Sequence, residues 1–188
     1  MEIVLFLLLL FQCFLMLGLF LFGIISIYFL INSKFMCCAP PIPSYGKVKT
    51  AMLESASQVL LKQKGQLIMD LGSGWGSLLL PLAKKFPQHR FVGIEYGIIP
   101  YFTSKFRARK LKNVFFYHKN FFDADISKAD VIFIFLLSRT MPRIRKKCQA
   151  EAKKGALIYV NRFPIPNLKL WKKFFLGTKY DTYFIYKI

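Results

Sequence analysis

An unbroken apolar run occupies the beginning of the chain, from Ile3 to Ile31, and Gln12 is its one strongly polar side chain. As a helix rising about 1.5 Å per residue, this run would be roughly 43 Å long, whereas a hydrocarbon core is about 30 Å thick. The alternative is a cleaved signal peptide, which needs a basic leading segment and an apolar run of only about 7–15 residues. The pattern therefore predicts a retained transmembrane anchor over residues 1–33.

The hydrophobic pattern changes after a Pro-rich stretch. Residues 34–47 include Pro40, Pro41 and Pro43. Because Pro fixes φ and disfavours helix in the residue before it, this stretch predicts an extended hinge. From residue 48 onward, short apolar runs alternate with stretches of helical spacing. Residues 48–188 are therefore predicted to form one domain.

Alternating strands and helices dominate that domain. The predicted strands are Leu67–Leu71, Arg90–Glu95, Val114–His118, Val131–Leu137 and Ala156–Val160, and the predicted helices are Val48–Leu61, Ser77–Phe86, Pro100–Leu111 and Arg143–Lys154. Such alternation indicates right-handed βαβ units and a parallel sheet. The tail departs from it, because Trp171–Leu176 and Thr182–Ile188 flank a turn and predict an antiparallel hairpin. The predicted class is α/β, a Rossmann-like parallel sheet with a C-terminal hairpin, preceded by one transmembrane helix.

Positive charge is confined to the part beyond the anchor. The chain has 28 Lys and Arg against 9 Asp and Glu, and every basic residue follows position 33. The positive-inside bias therefore places the domain on the cytoplasmic side, or on the matrix-equivalent side of an organelle membrane. Anionic lipid headgroups and nucleic acid are both acidic partners that such a charge attracts. The tether favours the membrane, so no nucleic-acid partner is expected.

Metal chemistry finds no support in the sequence. The 4 Cys and 2 His residues show none of the spacings of a metal site. A disulfide framework is equally unsupported, which fits a reducing compartment.

A glycine-rich segment carries the candidate chemistry. Asp70-Leu71-Gly72-Ser73-Gly74-Trp75-Gly76 lies between the first predicted strand and the next helix. Its glycines permit a tight turn and the close approach of a ligand. About 20 residues further on, the second strand ends in Glu95, a carboxylate that can accept hydrogen bonds from a ribose diol.

Two cofactor classes use this layout. A dinucleotide loop with the spacing G-x-G-x-x-G would need glycine at position 77, where the chain has Ser77. The form D-x-G-x-G-x-G resembles the S-adenosylmethionine loop of class I methyltransferases, and an acid at position 70 suits a ligand with an ammonium and a sulfonium. A strand-to-helix turn in a non-catalytic α/β domain is the remaining alternative.

The resemblance extends over most of residues 39–188. The chain looks like the membrane-anchored lysine methyltransferases that modify the c-ring protein of ATP synthase and the adenine nucleotide translocase. Beside the glycine loop, the matching segments are Pro41-Ile42-Pro43, Gly93-Ile94-Glu95-Tyr96, Met141–Lys147, Arg162-Phe163-Pro164-Ile165-Pro166 and Gly177–Tyr186. The chain departs from the family at Trp75, where the family has an acid, at Asn120-Phe121-Phe122, where it has D-L-W, and at Gly97–Tyr101, where its N-P-W is replaced.

The resemblance implies S-adenosylmethionine as the cofactor and assigns it a set of binding residues. These are Asp70 near the ammonium, Gly72, Ser73, Gly74, Trp75 and Gly76 around the methionine part, Glu95 at the ribose, Tyr96 on the adenine face, and Asn120 and Phe121 beside the base. Leu136, Leu137 and Ser138, at the end of the fourth strand, are the candidates for the methyl-transfer channel. The sequence shows no convincing general base, so desolvation of the acceptor amine is expected to lower its pKa.

The function predicted from these features is methyl transfer to a lysine of a membrane-associated protein. Two alternatives stay open at this point. The enzyme could methylate a lipid or small molecule at the bilayer, or the domain could be a non-catalytic basic adaptor tethered to the membrane.

Overall fold

The computed structural model describes residues 2–35, 46–178 and 181–188. It divides into two compact units, residues 1–40 and 41–188. The described part of the first unit is one helix, α1 (Glu2–Phe35). Within it, the 27 residues Glu2–Tyr28 have a mean hydropathy of 2.8, so this helix is long and apolar enough to cross a membrane. Most of the predicted hinge, including its Pro-x-Pro segment, lies outside the described residues.

In the second unit, the described residues form a seven-stranded sheet with the strand order β3-β2-β1-β4-β5-β7-β6. Strands β1 to β5 are parallel, whereas β7 is antiparallel to both β5 and β6. The strands are β1 (Leu67–Leu71), β2 (Arg90–Glu95), β3 (Val114–His118), β4 (Val131–Ile134), β5 (Leu157–Asn161), β6 (Leu170–Phe175) and β7 (Thr182–Lys187). The predicted parallel sheet and its closing hairpin are both present.

The helices of this unit are α2 (Gly46–Leu60), α3 (Leu79–Lys85), α4 (Ile98–Ala108) and α5 (Met141–Glu151). Helix α3 begins two residues later than the sequence pattern suggests, which places Pro81 in its first turn. A Pro is tolerated there because its missing N–H would have no partner within the helix. Strand β4 ends at Ile134, three residues before the predicted end, and Leu136 and Leu137 therefore belong to a loop.

A continuous apolar core holds α2 and α3 against the sheet. Met52 of α2, Leu79 of α3 and Phe91 of β2 are completely buried. Burial of each such side chain stabilises the folded state by about 1.5–3 kcal/mol, because its apolar surface is removed from water. His89 fastens the same region, because its Nδ1 accepts from the Gln66 N–H (3.1 Å) and its Nε2 lies 2.9 Å from the Leu60 carbonyl oxygen. Those partners imply that the ring proton is on Nε2.

The strand order creates a crevice at one edge of the sheet. The chain runs outward from β1 through β2 to β3, and then returns to place β4 on the other side of β1. In open parallel sheets, ligands bind outside the carboxyl ends of the strands at such a reversal. The segments after β1, β2 and β4 meet at this edge, and they contain the residues that the sequence predicts to bind a cofactor.

Candidate functional site

The glycine loop after β1 is anchored to the end of β2. The backbone N–H groups of Gly72 and Ser73 both donate to the Ile94 carbonyl oxygen, at 2.8 and 3.0 Å. Gly72, Gly74 and Gly76 have φ values of +86°, +52° and +73°, in the region that L side chains rarely adopt. The loop can therefore keep its shape only with glycine at these positions.

The space around the three glycines differs. A Cβ at Gly72 would lie 3.0 Å from Leu136 Cδ2, and one at Gly76 would lie 2.9 Å from the ring of Phe116. At Gly74, a Cβ would meet no described atom within 4 Å. Two glycines therefore allow the loop to pack tightly against the domain, whereas Gly74 faces open space that a ligand can enter.

Glu95, at the carboxyl end of β2, lies directly against this loop. Its Oε2 accepts from the Gly74 N–H at 2.7 Å, and its Oε1 accepts from the Gly97 N–H at 2.6 Å. The carboxylate is half-buried. Because each carboxylate oxygen can accept about two hydrogen bonds, both oxygens keep a position for a hydroxyl donor. The structure thus brings Glu95, the residue predicted to bind the ribose, into contact with the glycine loop, which is predicted to bind the methionine part of the cofactor.

Asp70 is a buried carboxyl just below the loop. Its side chain is 4% exposed, and burial raises the pKa of Asp70 to about 8, with a smaller contribution from the charge of Glu95. The unliganded domain therefore holds this carboxyl largely protonated at neutral pH. A cationic group bound beside Asp70 would favour its charged form. An ammonium is a suitable partner for an acid in this position.

Ser73 contributes a hydroxyl to the same region. Its Oγ is buried and has no hydrogen-bond partner among the described residues. The neighbouring Gly93 makes room for it, since a Cβ there would lie 2.7 Å from Ser73 Oγ. Buried polar atoms are rarely left unpaired in proteins, so this hydroxyl fits a site that a polar ligand completes.

Arg107 of α4 contacts the glycine loop, and the sequence did not predict this contact. Its Nη1 donates to the Trp75 carbonyl oxygen at 2.7 Å, which ties α4 to the glycine loop across 32 positions of sequence. In the sequence, Arg107 is one of several cations on a basic helix, which is expected to face solvent or, as the alternative, to contact lipid headgroups. A contact between a side chain and a distant backbone carbonyl leaves no mark on local spacing.

The residues predicted to border the adenine occupy different environments. The ring of Tyr96 is 42% exposed and stacks on His118, with centroids 6.0 Å apart. Asn120 Oδ1 accepts from the Phe122 N–H at 3.0 Å and caps a 3-10 turn over Phe121–Asp123. Phe121 itself is 2% exposed and packs on the ring of Phe122. Tyr96 therefore offers an accessible aromatic face, whereas Phe121 is a core residue.

The three residues predicted to line the methyl-transfer channel differ in exposure. Leu136 is 3% exposed beside Gly72, Leu137 is half-buried, and Ser138 is exposed at the start of a 3-10 turn. The Thr140 hydroxyl donates to the Leu137 carbonyl oxygen at 2.6 Å and holds this turn in place. In the described ranges, no cluster of three or more Cys, His, Asp or Glu residues could hold a metal ion. This edge thus combines the polar groups of Asp70, Ser73 and Glu95 with an apolar border.

Comparison with known proteins identifies relatives of this domain. A family model described as the ANTKMT methyltransferase domain matches residues 70–172. The Xenopus laevis lysine N-methyltransferase of the ATP synthase c-subunit is 27% identical over 135 residues, which cover 69% of this chain and 56% of that protein. A protein-lysine N-methyltransferase of Saccharolobus islandicus is 29% identical over 129 residues, covering 67% of this chain and 78% of that protein. The chain thus spans little more than half the length of the Xenopus relative.

Solved structures share the fold. The RNA methyltransferase of Salinibacter ruber in complex with S-adenosyl-L-homocysteine superposes with a TM-score of 0.68 at 24% identity, covering 78% of this chain and 94% of that one. Magnesium protoporphyrin IX methyltransferase of Synechocystis PCC 6803, with bound SAM, gives a TM-score of 0.58 at 13% identity, covering 74% and 78% of the two chains. These similarities confirm the predicted class I methyltransferase fold.

Proposed function

The chain belongs to the family of ANTKMT methyltransferase domains, and we propose that it transfers a methyl group from S-adenosylmethionine to a lysine amine of a membrane-associated protein. The observation that carries the proposal is the hydrogen bond from the Gly74 N–H of the glycine loop to the Glu95 carboxylate. The Glu95 carboxylate, which would bind the ribose, lies next to a stretch of backbone that is open to a ligand. Family membership and the resemblance of the loop support the same cofactor.

Each part of this cofactor would have a binding residue at this edge. Gly72, Ser73 and Gly74 would hold the methionine part, where the Ser73 hydroxyl lacks a described partner. The Asp70 carboxyl would face the ammonium, and Glu95 would accept from the ribose hydroxyls. Tyr96, with its exposed ring, would lie against the adenine. When bound, S-adenosylmethionine supplies a methyl group that its sulfonium has already activated.

Because the donor is activated, the residues of this chain would act by positioning and by exclusion of water. Leu136 packs beside Gly72, and the half-buried Leu137 follows it, so both would border the bound cofactor with apolar surface. A lysine amine that enters such a border loses hydration, which lowers its pKa and favours the neutral, nucleophilic form. The described residues offer no side chain that must act as a general base, and the proton can pass to solvent.

We also propose that α1 spans a membrane and anchors residues 48–188 through the hinge 34–47. Support comes from the mean hydropathy of 2.8 over Glu2–Tyr28 and from the confinement of all 28 basic residues to positions after 33. On the positive-inside rule, the domain would face the cytoplasm or the matrix-equivalent side. This location suits a membrane-associated protein as the methyl acceptor.

Methyl transfer from radiolabelled S-adenosylmethionine into isolated membranes tests the proposal. The full chain should label material that resists solvent extraction and is lost on protease digestion, and the Glu95→Gln variant should label the membranes much more weakly at a limiting cofactor concentration. Label that partitions into the solvent extract would instead identify a lipid acceptor. Absence of labelling in every fraction, with the cofactor shown to be intact, would favour a non-catalytic adaptor.

A further inference from the structure

Helix α4 packs on the sheet, yet its large apolar side chains lie on its solvent-exposed face. The residues it buries are Pro100, Ser104 and Ala108, which are small or polar. Four large apolar side chains face solvent instead, namely Ile98, Ile99, Phe102 and Phe106, and they are 52%, 51%, 61% and 63% exposed. A surface helix normally shows the reverse arrangement. We refer to these four residues as the α4 apolar stripe.

The stripe is continuous along the helix. At about 100° per residue, positions 98, 102 and 106 lie one above another and position 99 lies beside them. The stripe therefore runs along the whole length of α4, which ends at Ala108. Scattered exposed apolar residues are ordinary, but a contiguous apolar surface rimmed by polar groups marks an interaction site.

Cations border the stripe. Lys105, Arg109, Lys110 and Lys112 are all exposed, and no acidic residue occurs between positions 98 and 112. The Arg109 guanidinium lies 4.1 Å from the centroid of the Phe106 ring and also donates to the Phe106 carbonyl oxygen at 3.1 Å. An apolar face flanked by Lys and Arg is the composition of helices that lie in the interface of an anionic bilayer.

We propose that α4 docks on an anionic lipid bilayer, with the apolar stripe inserted among the acyl chains and the bordering cations at the headgroup phosphates. A second copy of the chain fits this face poorly, because two such helices would bring like charges together. The linking residues between Phe35 and Gly46 can span at most about 40 Å. If α1 is in a membrane, this length limits how far Gly46 can lie from that membrane.

Docking through α4 would orient the cofactor site. The helix begins at Ile98, directly after Gly97, whose N–H donates to the Glu95 carboxylate, and Arg107 of the same helix holds the Trp75 carbonyl oxygen. Contact of α4 with lipid would therefore hold the ligand-binding edge of the sheet at a fixed, short distance from the membrane surface. Acceptor lysines close to that surface would be favoured over lysines far from it.

Depth-dependent fluorescence quenching in vesicles tests the docking. The full chain is reconstituted with an environment-sensitive fluorescent amino acid in place of Phe106, or in place of the exposed Gln149 of α5 as the matched control. In vesicles with phosphatidylserine and acyl-brominated lipids, the emission at position 106 should be clearly quenched, because insertion would carry the probe about 5–10 Å into the headgroup and acyl boundary. Emission at position 149 should be unaffected. Equal quenching at both positions, or none at position 106, overturns the proposal.

Two variants separate the apolar and the charged contributions. With the probe at position 106, Phe102→Ser should reduce the quenching in every vesicle, whereas Lys110→Glu combined with Lys112→Glu should remove only its dependence on phosphatidylserine. All three side chains are exposed, so an unchanged circular dichroism spectrum is expected of each variant. A probe that responds to a soluble protein or an oligonucleotide but not to vesicles would overturn the proposal and assign the stripe to another partner. Because no methyl acceptor is present, this outcome is independent of the methyl-transfer proposal.

Discussion

Replacing Asp70 by Asn should stabilise the unliganded domain while it weakens cofactor binding. Burial, and to a lesser degree the charge of Glu95, raises the pKa of Asp70 from 3.8 to about 8. The folded carboxyl therefore keeps a proton that the unfolded carboxyl loses between these two values. The free energy of unfolding is therefore undiminished by Asp70 below pH 3.8, decreases as the pH rises above that value, and levels off above about pH 8. Asn has the same shape as the protonated side chain but does not titrate.

The size of the effect follows from the pKa shift. One pKa unit corresponds to about 1.4 kcal/mol, so the gap between 3.8 and pH 7 amounts to about 4 kcal/mol. The free energy of unfolding of Asp70→Asn should therefore exceed that of the wild type by up to about 4 kcal/mol at pH 7. At pH 4, the two proteins should differ by less than about 1 kcal/mol.

Urea titration at pH 4, 5.5 and 7 measures this difference. Both tryptophans, Trp75 and Trp171, lie in the second unit, so their fluorescence reports the unfolding of that unit in the full chain in mild detergent. Asp125→Asn is the control, since hydrogen bonds from Ser127 lower the pKa of the exposed Asp125 and its replacement should not stabilise the protein. A gain for Asp70→Asn that does not grow with pH would refute the reasoning.

Further predictions concern packing, a buried cation and the loop. Gly93→Ala should lower the unfolding free energy by about 2–3 kcal/mol, because the new methyl group would overlap Phe116 and Ser73; Gly155→Ala, in open space, should cost about 1 kcal/mol in the same urea assay. Lys147→Met should cost about 2–3 kcal/mol by thermal unfolding, because the buried ammonium serves the Phe122 carbonyl oxygen and the Glu151 carboxylate; unchanged stability would contradict this role. Arg107→Gln should weaken S-adenosylmethionine binding about threefold in calorimetry, with stability altered by less than about 0.5 kcal/mol.

The strand pattern was predictable because buried parallel strands are short apolar runs that end at glycines or polar residues. The bounds of β1, β2 and β3 agree with prediction to the residue. The predicted β4 extended to Leu137, three residues too far, because an apolar run alone does not show where the backbone leaves the sheet. Helix α3 was also predicted too early, since the loop and the helix share leucines and only the position of Pro81 separates them.

The site was predictable only where local spacing records it. The proximity of Glu95 to the glycine loop follows from the adjacency of β1 and β2. The raised pKa of Asp70 depends on complete burial, and the contact of Arg107 with Trp75 depends on the packing of α4, neither of which sequence spacing records. The α4 apolar stripe was not predicted either. Large apolar residues on a helix are normally assigned to the core, and the sequence does not show that these four face solvent.

Titration calorimetry of the full chain with S-adenosylmethionine at pH 6.5 tests the central claim most directly. Loss of the charge-assisted hydrogen bonds of Glu95 should weaken binding by about 10–100-fold in Glu95→Gln, whereas Glu54→Gln, an exposed position on α2, should bind like the wild type. At this pH, binding should also release close to one proton as the pKa of Asp70 falls, and Asp70→Asn should release none. Wild-type affinity in Glu95→Gln, or no binding to the wild-type chain, would contradict the assignment of this crevice as the cofactor site.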